Sequence, residues 1–391
     1  MRILYTAIDQ PVPGMTGGSV HVSQVASGLA ALGHDVHAVV APGSGLPPEG
    51  PVHWHSLRPP LGRRQLRWMR ARRVTELARS LGTDVVIERY YNFGGEGVRA
   101  ASATGALMVL EVNAPVIDYP GSPKSWIDRA MLVEPMRRWR EWQCRRAHLF
   151  VTPSAGILPT WVEAEQVLRL EWGADTARFT PDARGEVPFR REPGDTVVVF
   201  AGAFRPWHGA VHLVRAIADL RLRGREDIKA VFIGDGPELP RVRRAAAGLE
   251  GIVFTGALSH DRMPACLAAA DILVLPNVPV SASAGHTSPL KLFEYLAVGK
   301  PIVASDLPAI REVLRDGQNA VLVEPGRPDA LAAGIRRVLE DRTLAERIAR
   351  GAFDEAPDYS WDRRAERIEQ LFERVLGGQS QPTPQRSTST R

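Results

Sequence analysis

The sequence predicts an α/β protein built from two doubly wound, Rossmann-like domains that face each other across a cleft. Each half opens with a short apolar strand, a glycine-containing loop and a helix. Strand and helix signals then alternate along each half, which favours mostly parallel sheets. At 391 residues the chain also exceeds one ordinary core of roughly 100 to 200 residues.

In the first half the apolar runs Arg2–Thr6, Asp35–Val40, Val85–Glu88, Leu107–Val112 and His148–Thr152 read as strands, with helices at Val20–Leu32 and Leu66–Ser80. In the second half Val197–Ala201, Lys229–Ile233, Gly251–Thr255, Ile272–Leu275, Pro301–Ser305 and Ala320–Glu324 read as strands. They alternate with helices near Val211–Leu222, Met263–Ala270, Leu290–Val298 and Asp329–Glu340. Pro, Gly and charge interrupt the apolar periodicity from Gly173 to about Gly194, which marks a linker. The expected division is therefore a first domain over 1–180, a second over 181–357 and a terminal helix over 358–377 with apolar residues Trp361, Ile368, Leu371, Phe372 and Leu376 at helical spacing. Residues 378–391, rich in Gln, Ser, Thr and Pro, are expected to be a disordered tail.

A hydrophobic content of 44% with 24% charged residues is that of a soluble globular protein, and no apolar run approaches the roughly 20 residues of a membrane helix. The first residues are too short a run for a signal peptide, so the cytoplasm is the expected location. Cys144 and Cys266 lack metal-type spacing and support neither a disulfide framework nor a zinc site. The net charge of +5 rests on 45 Arg and only 4 Lys. Arginines cluster with Trp68 over 63–73, and with Trp139 and Trp142 over 137–146. Either cluster is a solvated basic face, or both form a peripheral contact with anionic membrane. No nucleic-acid-binding module surrounds them.

The most informative stretch is His286–Thr287–Ser288–Pro289–Leu290–Lys291, continued through Glu294 to Gly299–Lys300–Pro301. Ser288 suits an N-cap and Pro289 a first helical position, which leaves the amides of Leu290 and Lys291 facing an anion such as a phosphate. Glu294, one turn after Leu290, can accept hydrogen bonds from vicinal ribose hydroxyls. The plain alternative is a capped helix with Phe293 and Leu296 in the core and Lys291 and Glu294 as a solvated pair.

Other loops fall where such sheets bind ligands, beyond the carboxyl ends of strands. Gly17–Gly18 opens the first long helix and lets backbone approach a ligand, or merely turns the chain. Gly202 begins a loop carrying Arg205 and His208, cations suited to a diphosphate leaving group. Gly234–Asp235–Gly236 follows another strand. Glu88, Arg89, Glu111 and Asn113 end two first-half strands and are acceptor-side candidates, although Glu88 and Arg89 serve equally well as an ion pair or loop anchor. No Asp-x-Asp triad occurs, so a metal held on the diphosphate by adjacent carboxylates has no support.

Taken together, the Gly17–Gly18 loop, the 200–209 loop, Gly234–Glu238, Gly173–Asp175 and the 288–301 helix resemble the retaining GT-B glycosyltransferases of family 4. The resemblance implies a GT-B fold and a metal-independent transferase without cofactor. It implies that the second domain binds a nucleotide-diphosphate sugar such as a UDP-sugar, the first domain binds a hydroxyl acceptor, and the last helix crosses back. Glu294 matches the second glutamate of the family's Glu-x7-Glu element, for the ribose, whereas the first falls on His286. The family's phosphate-binding Arg falls on Ala203, with Arg205 as substitute, and its Lys falls on His208. Its acceptor-side histidine falls on Asn113. A nucleotide-sugar epimerase of this fold and a catalytically silent nucleotide-sugar-binding protein remain alternatives.

Overall fold

A computed structural model describes residues 1–14, 16–113, 130, 133–279 and 290–378. The first half forms a seven-stranded sheet from β1 (Arg2–Val12), β2 (Asp35–Pro42), β3 (His53–Ser56), β4 (Val85–Arg89), β5 (Leu107–Glu111), β6 (Leu149–Thr152) and β7 (Val167–Arg169). Their order is β3-β2-β1-β4-β5-β6-β7, and the pairings are parallel. The second half forms a six-stranded parallel sheet from β8 (Thr196–Ala201), β9 (Ile228–Ile233), β10 (Ile252–Gly256), β11 (Ile272–Leu275), β12 (Ile302–Ser305) and β13 (Val321–Val323). Its order is β10-β9-β8-β11-β12-β13. Both sheets reverse strand order, between β1 and β4 and between β8 and β11. In open parallel sheets a ligand crevice lies beyond the strand ends at that reversal.

The helices cover both faces: α1 (Gly17–Ala31), α2 (Ala71–Leu81), α3 (Glu96–Thr104) and α4 (Val133–Cys144) in the first half. In the second half come α5 (Ala210–Leu222), α6 (Leu239–Ala245), α7 (Met263–Ala268), α8 (Leu290–Val298), α9 (Pro308–Arg311), α10 (Pro328–Glu340) and α11 (Arg342–Glu355). The helix expected over Leu66–Ser80 is two pieces, since residues 64–70 wind as a tighter 3-10 segment before α2. That segment carries Arg67, which is fully buried against Asp9 and Glu96. The edge strand β3 and the last strand β7 have too few apolar residues to be seen in the sequence.

The terminal helix α12 (Trp361–Gly378) packs its apolar face into the first core, where Trp361, Ala365, Ile368, Leu371 and Phe372 join Ile3, Val22 and Val25. Each large side chain buried this way contributes roughly 1.5–3 kcal/mol. Gly28 on α1 permits the close approach, because a Cβ there would lie 2.9 Å from the Ala365 Cβ. The chain thus passes between the halves twice, and the two passages are paired. Ala174 donates its N–H to the Tyr359 carbonyl at 2.9 Å, and Trp361 donates its own to the Ala174 carbonyl at 3.2 Å. Among the described residues no helix is long and apolar enough to cross a membrane.

Candidate functional site

The crevice of the second sheet is assembled by loops that only glycine lets come together. Gly234 and Gly236, after β9, have φ of +125° and +154°, and a Cβ on either would strike the carbonyl oxygen of Gly202 or Ala203. The two loops are thereby pressed against each other. Phe204 takes a positive φ of 40° while its ring is buried against Phe200 and Phe232. This left-handed residue anchors the loop below and leaves Arg205 exposed above it.

Lys291 enters the same place from α8. Its Nζ lies 4.4 Å from the centre of the Phe200 ring, and 3.1 Å from where a Gly202 Cβ would stand. His208 Nδ1 lies 3.0 Å from that same point. Gly202 is therefore a floor over which a cation and an imidazole converge. Burial pushes the Lys291 ammonium down to about 7, against the pull of Glu294. Burial, then the charges of Lys291 and Arg205, push His208 down to about 2, so its imidazole is neutral. Among the described residues neither Lys291 Nζ nor His208 Nδ1 has a hydrogen-bond partner, and the same holds for Asn277 Oδ1 just beyond β11. Buried polar atoms are ordinarily satisfied, and of these three the two nitrogens, Lys291 Nζ and His208 Nδ1, can each donate to an anionic ligand.

The sequence reading gave Lys291 an amide role and, in its plain alternative, a solvated pair with Glu294. The structure shows neither a solvated lysine nor that pair. Lys291 and Glu294 are both buried, with Phe293 and Leu296 in the core beside them. Glu294 Oε1 instead meets His260 Nε2 at 2.8 Å. His260 sits in the loop after β10, where no motif signalled it. His286, Ser288 and Pro289 lie outside the described residues.

The first domain meets this crevice at Gly17. A Cβ on Gly17 would lie 3.3 Å from the Trp172 ring and 3.8 Å from Leu290 Cδ2, so the first glycine loop abuts the start of α8. Trp172 donates its indole N–H to Asn113 Oδ1 at 3.3 Å, leaving Asn113 Nδ2 without a partner among the described residues. Trp172 was not singled out in the sequence, because a tryptophan between two domains looks like any packing residue.

Of the remaining acceptor-side candidates, Glu88 and Glu111 are engaged in holding the fold. Glu88 accepts the N–H groups of Gly95, Gly97 and Val98 and an amide N–H of Gln143, which caps α3. Burial, with Glu96 adding to it, raises its pKa to about 7. Glu111 accepts from Tyr5 at 2.6 Å, from His21, and from Arg364 of α12 at 3.0 Å. Burial alone would raise its pKa, but His21, Arg364 and Tyr5 together hold it well below the carboxylate range. A carboxylate so committed serves the packing of α1 and α12. Arg89 pairs with Asp9 at 3.1 Å rather than with Glu88, and lies close to Gly18 at the crevice rim.

In the basic clusters Arg67 is interior, and Trp139 packs in tilted contact against both Trp68 and Trp142. Trp139 donates to the Gly94 carbonyl at 2.9 Å. The tryptophans thus bind the first domain together as much as they coat it.

Two Rossmann-like parallel sheets joined by paired passages, each with a crevice at its strand reversal, are the GT-B fold. A model described as "Glycosyl transferases group 1" matches residues 195–341, and one described as "Glycosyltransferase Family 4" matches residues 15–164. The chain belongs to this glycosyltransferase family. It is 27% identical over 237 residues to the alpha-D-kanosaminyltransferase of Streptomyces kanamyceticus, covering 56% of this chain and only 59% of that relative's length. It is 26% identical to a glycogen synthase of Mycobacterium tuberculosis, over 98% of this chain and 97% of that one. Among solved structures, Anabaena HepE with UDP-glucose superimposes with a TM-score of 0.70 at 19% identity, covering 96% of this chain and all of HepE.

Proposed function

We propose that the protein transfers a sugar from a nucleoside-diphosphate sugar to an acceptor hydroxyl, with retention at the anomeric carbon. The observation that carries this is the buried Lys291 ammonium facing Gly202 and His208 with no hydrogen-bond partner among the described residues. A diphosphate placed there would restore charge balance to Lys291 and give His208 and the exposed Arg205 an oxygen to contact. Glu294 would hold the ribose with the oxygen that His260 leaves free. The bound UDP-glucose of HepE is a donor of this class.

The acceptor would approach from Gly17, Gly18 and Asn113. As the anomeric carbon–phosphate oxygen bond breaks, the acceptor oxygen would bond to that carbon from the same face, and its proton would pass to the departing phosphate oxygen. Such a step needs no protein base but does need the developing charge stabilised, the work assigned to Lys291, Arg205 and His208. With cations supplied by side chains, turnover is expected to persist in chelator. Thermal-shift screening against UDP, GDP, ADP, TDP and their sugars tests the reading, since a ligand of the native state raises the melting temperature. Slow donor hydrolysis by the stabilising sugar supports transfer; saturable binding without hydrolysis or transfer on any acceptor would favour a silent binding protein. A peripheral contact with anionic membrane would use exposed Leu61 and Met69 beside Arg63 and Arg64. Absence of sedimentation with anionic vesicles at low salt would remove it.

A further inference from the structure

We propose that Asp35, His37 and His53, supported by His55, form a site for a borderline divalent transition-metal ion such as zinc. The site lies at the outer edge of the first sheet, away from the cleft. Strands β2 and β3 pair in parallel with His37 opposite His53, and alternate residues of a strand share a face. Asp35 and His37 on one strand therefore stand on the same side as His53 and His55 on the next.

The spacing suits a metal. One ligand atom from each of Asp35, His37 and His53 lies within 4.8 Å of the other two. Asp35 Oδ1 is 3.1 Å from His37 Nε2 and 3.6 Å from His53 Nε2. Tetrahedral zinc with bonds of about 2.0–2.1 Å holds its ligands about 3.3 Å apart, between those two values. Imidazole nitrogen with one carboxylate is also the donor set that zinc, nickel and copper favour over magnesium.

The surroundings orient these atoms. Arg2 Nε holds Asp35 Oδ2 at 3.0 Å, which turns Oδ1 toward the histidines. His37 Nδ1 is 2.9 Å from His55 Nε2, so His55 fixes the ring's second nitrogen, as partners of metal-bound histidines commonly do. Without metal, His55 donates to His37, which donates to Asp35. With metal on His37 Nε2, the direction reverses, and His37 Nδ1–H donates to His55. The His37 ring stacks on His53 and His55 with centroids 4.6 and 5.2 Å apart, so for His37 and His53 to bind one ion in their ring planes the exposed His53 ring turns out of the stack. The His53 side chain is 61% exposed, which gives an ion a way in and leaves room for water as a further ligand. The Arg2 charge opposes a cation, so binding is weaker than at a closed structural zinc site.

Strand β3 is an edge strand that, among the described residues, pairs with β2 alone. A metal would staple the start of β3 to the start of β2, at the opposite end of the sheet from Gly17. It would thus act on stability, independently of sugar transfer.

The test is calorimetric titration of zinc chloride into the untagged, metal-stripped full chain, with melting temperature measured alongside. One zinc per chain is expected, with a rise in melting temperature. His53→Ala, at an exposed position, should weaken zinc at least tenfold and abolish the rise while leaving donor turnover unchanged. His37→Gln should weaken zinc similarly, and His34→Ala should not. Equal zinc affinity in His53→Ala and the parent, no binding at millimolar zinc, or equal binding of magnesium would each overturn the proposal.

Discussion

The two crevices occupy equivalent places in two similar sheets, yet treat buried charge in opposite ways. In the first, Asp9 is shared by Arg67 and Arg89, Arg67 also meets Glu96, and Glu111 gathers Tyr5, His21 and Arg364. Every carboxylate there has its cation or donor. In the second, Lys291 Nζ and His208 Nδ1 stand together with no hydrogen-bond partner among the described residues, and Arg205 adds a third basic group nearby. Matched buried charge is scaffold, because removing either partner strands the other; unmatched buried charge is costly unless a ligand completes it.

The sharpest way to break this contrast is to unbalance the matched side. Arg364→Leu would leave Glu111 with His21 and Tyr5 only, and would loosen α12. A loss of about 3–5 kcal/mol in urea denaturation is expected, and a loss below about 1 kcal/mol would deny Glu111–Arg364 its scaffold role. On the unmatched side the expectation reverses. Lys291→Met should lower turnover about a hundredfold or more, as loss of a charge contact to a leaving group does, while leaving stability equal or higher. A variant that unfolds instead would make Lys291 framework.

Glu294→Ala should weaken donor binding about tenfold or more by calorimetry, the scale of a charged hydrogen bond of about 1.5–3 kcal/mol. Unchanged affinity would remove the ribose assignment. Arg205, being exposed, should show a smaller effect, on turnover more than on affinity.

The pH dependence of stability follows from buried groups of both regions. The Lys291 pKa of about 7 lies below its unfolded value near 10.5, so between these the unfolded chain binds more protons. Stability of the ligand-free protein should therefore rise from pH 7 toward 10, and Lys291→Met should lose that rise. His21, lowered by burial to about 4, and His208, lowered to about 2, work in the acidic range. Both are neutral when folded and take up protons on unfolding below about pH 6.5, so their contribution to stability is lost as pH falls from there. Diphosphate binding should raise the Lys291 pKa and take up a fraction of a proton near pH 7.5. Calorimetry in buffers of different ionisation enthalpy would detect it, and no uptake would place the diphosphate elsewhere.

The alternating order of strands and helices, the glycine loops after β1 and β8 and the apolar stripe of α12 were legible in the sequence, because they follow from local periodicity and turn chemistry. Leu290, Lys291 and Glu294 were legible as a group for the same reason, being one turn of one helix. Which of them faced inward, and toward what, was not. His260 reaches Glu294 across 34 positions, Arg364 reaches Glu111 across 253, and Asp35 meets His53 across strands. Local sequence determined the elements, since backbone preference and apolar period act over a few residues. Tertiary structure alone decided which charges would be paired and which left bare, since Coulomb forces and desolvation depend on distance and burial, and neither is written along the chain.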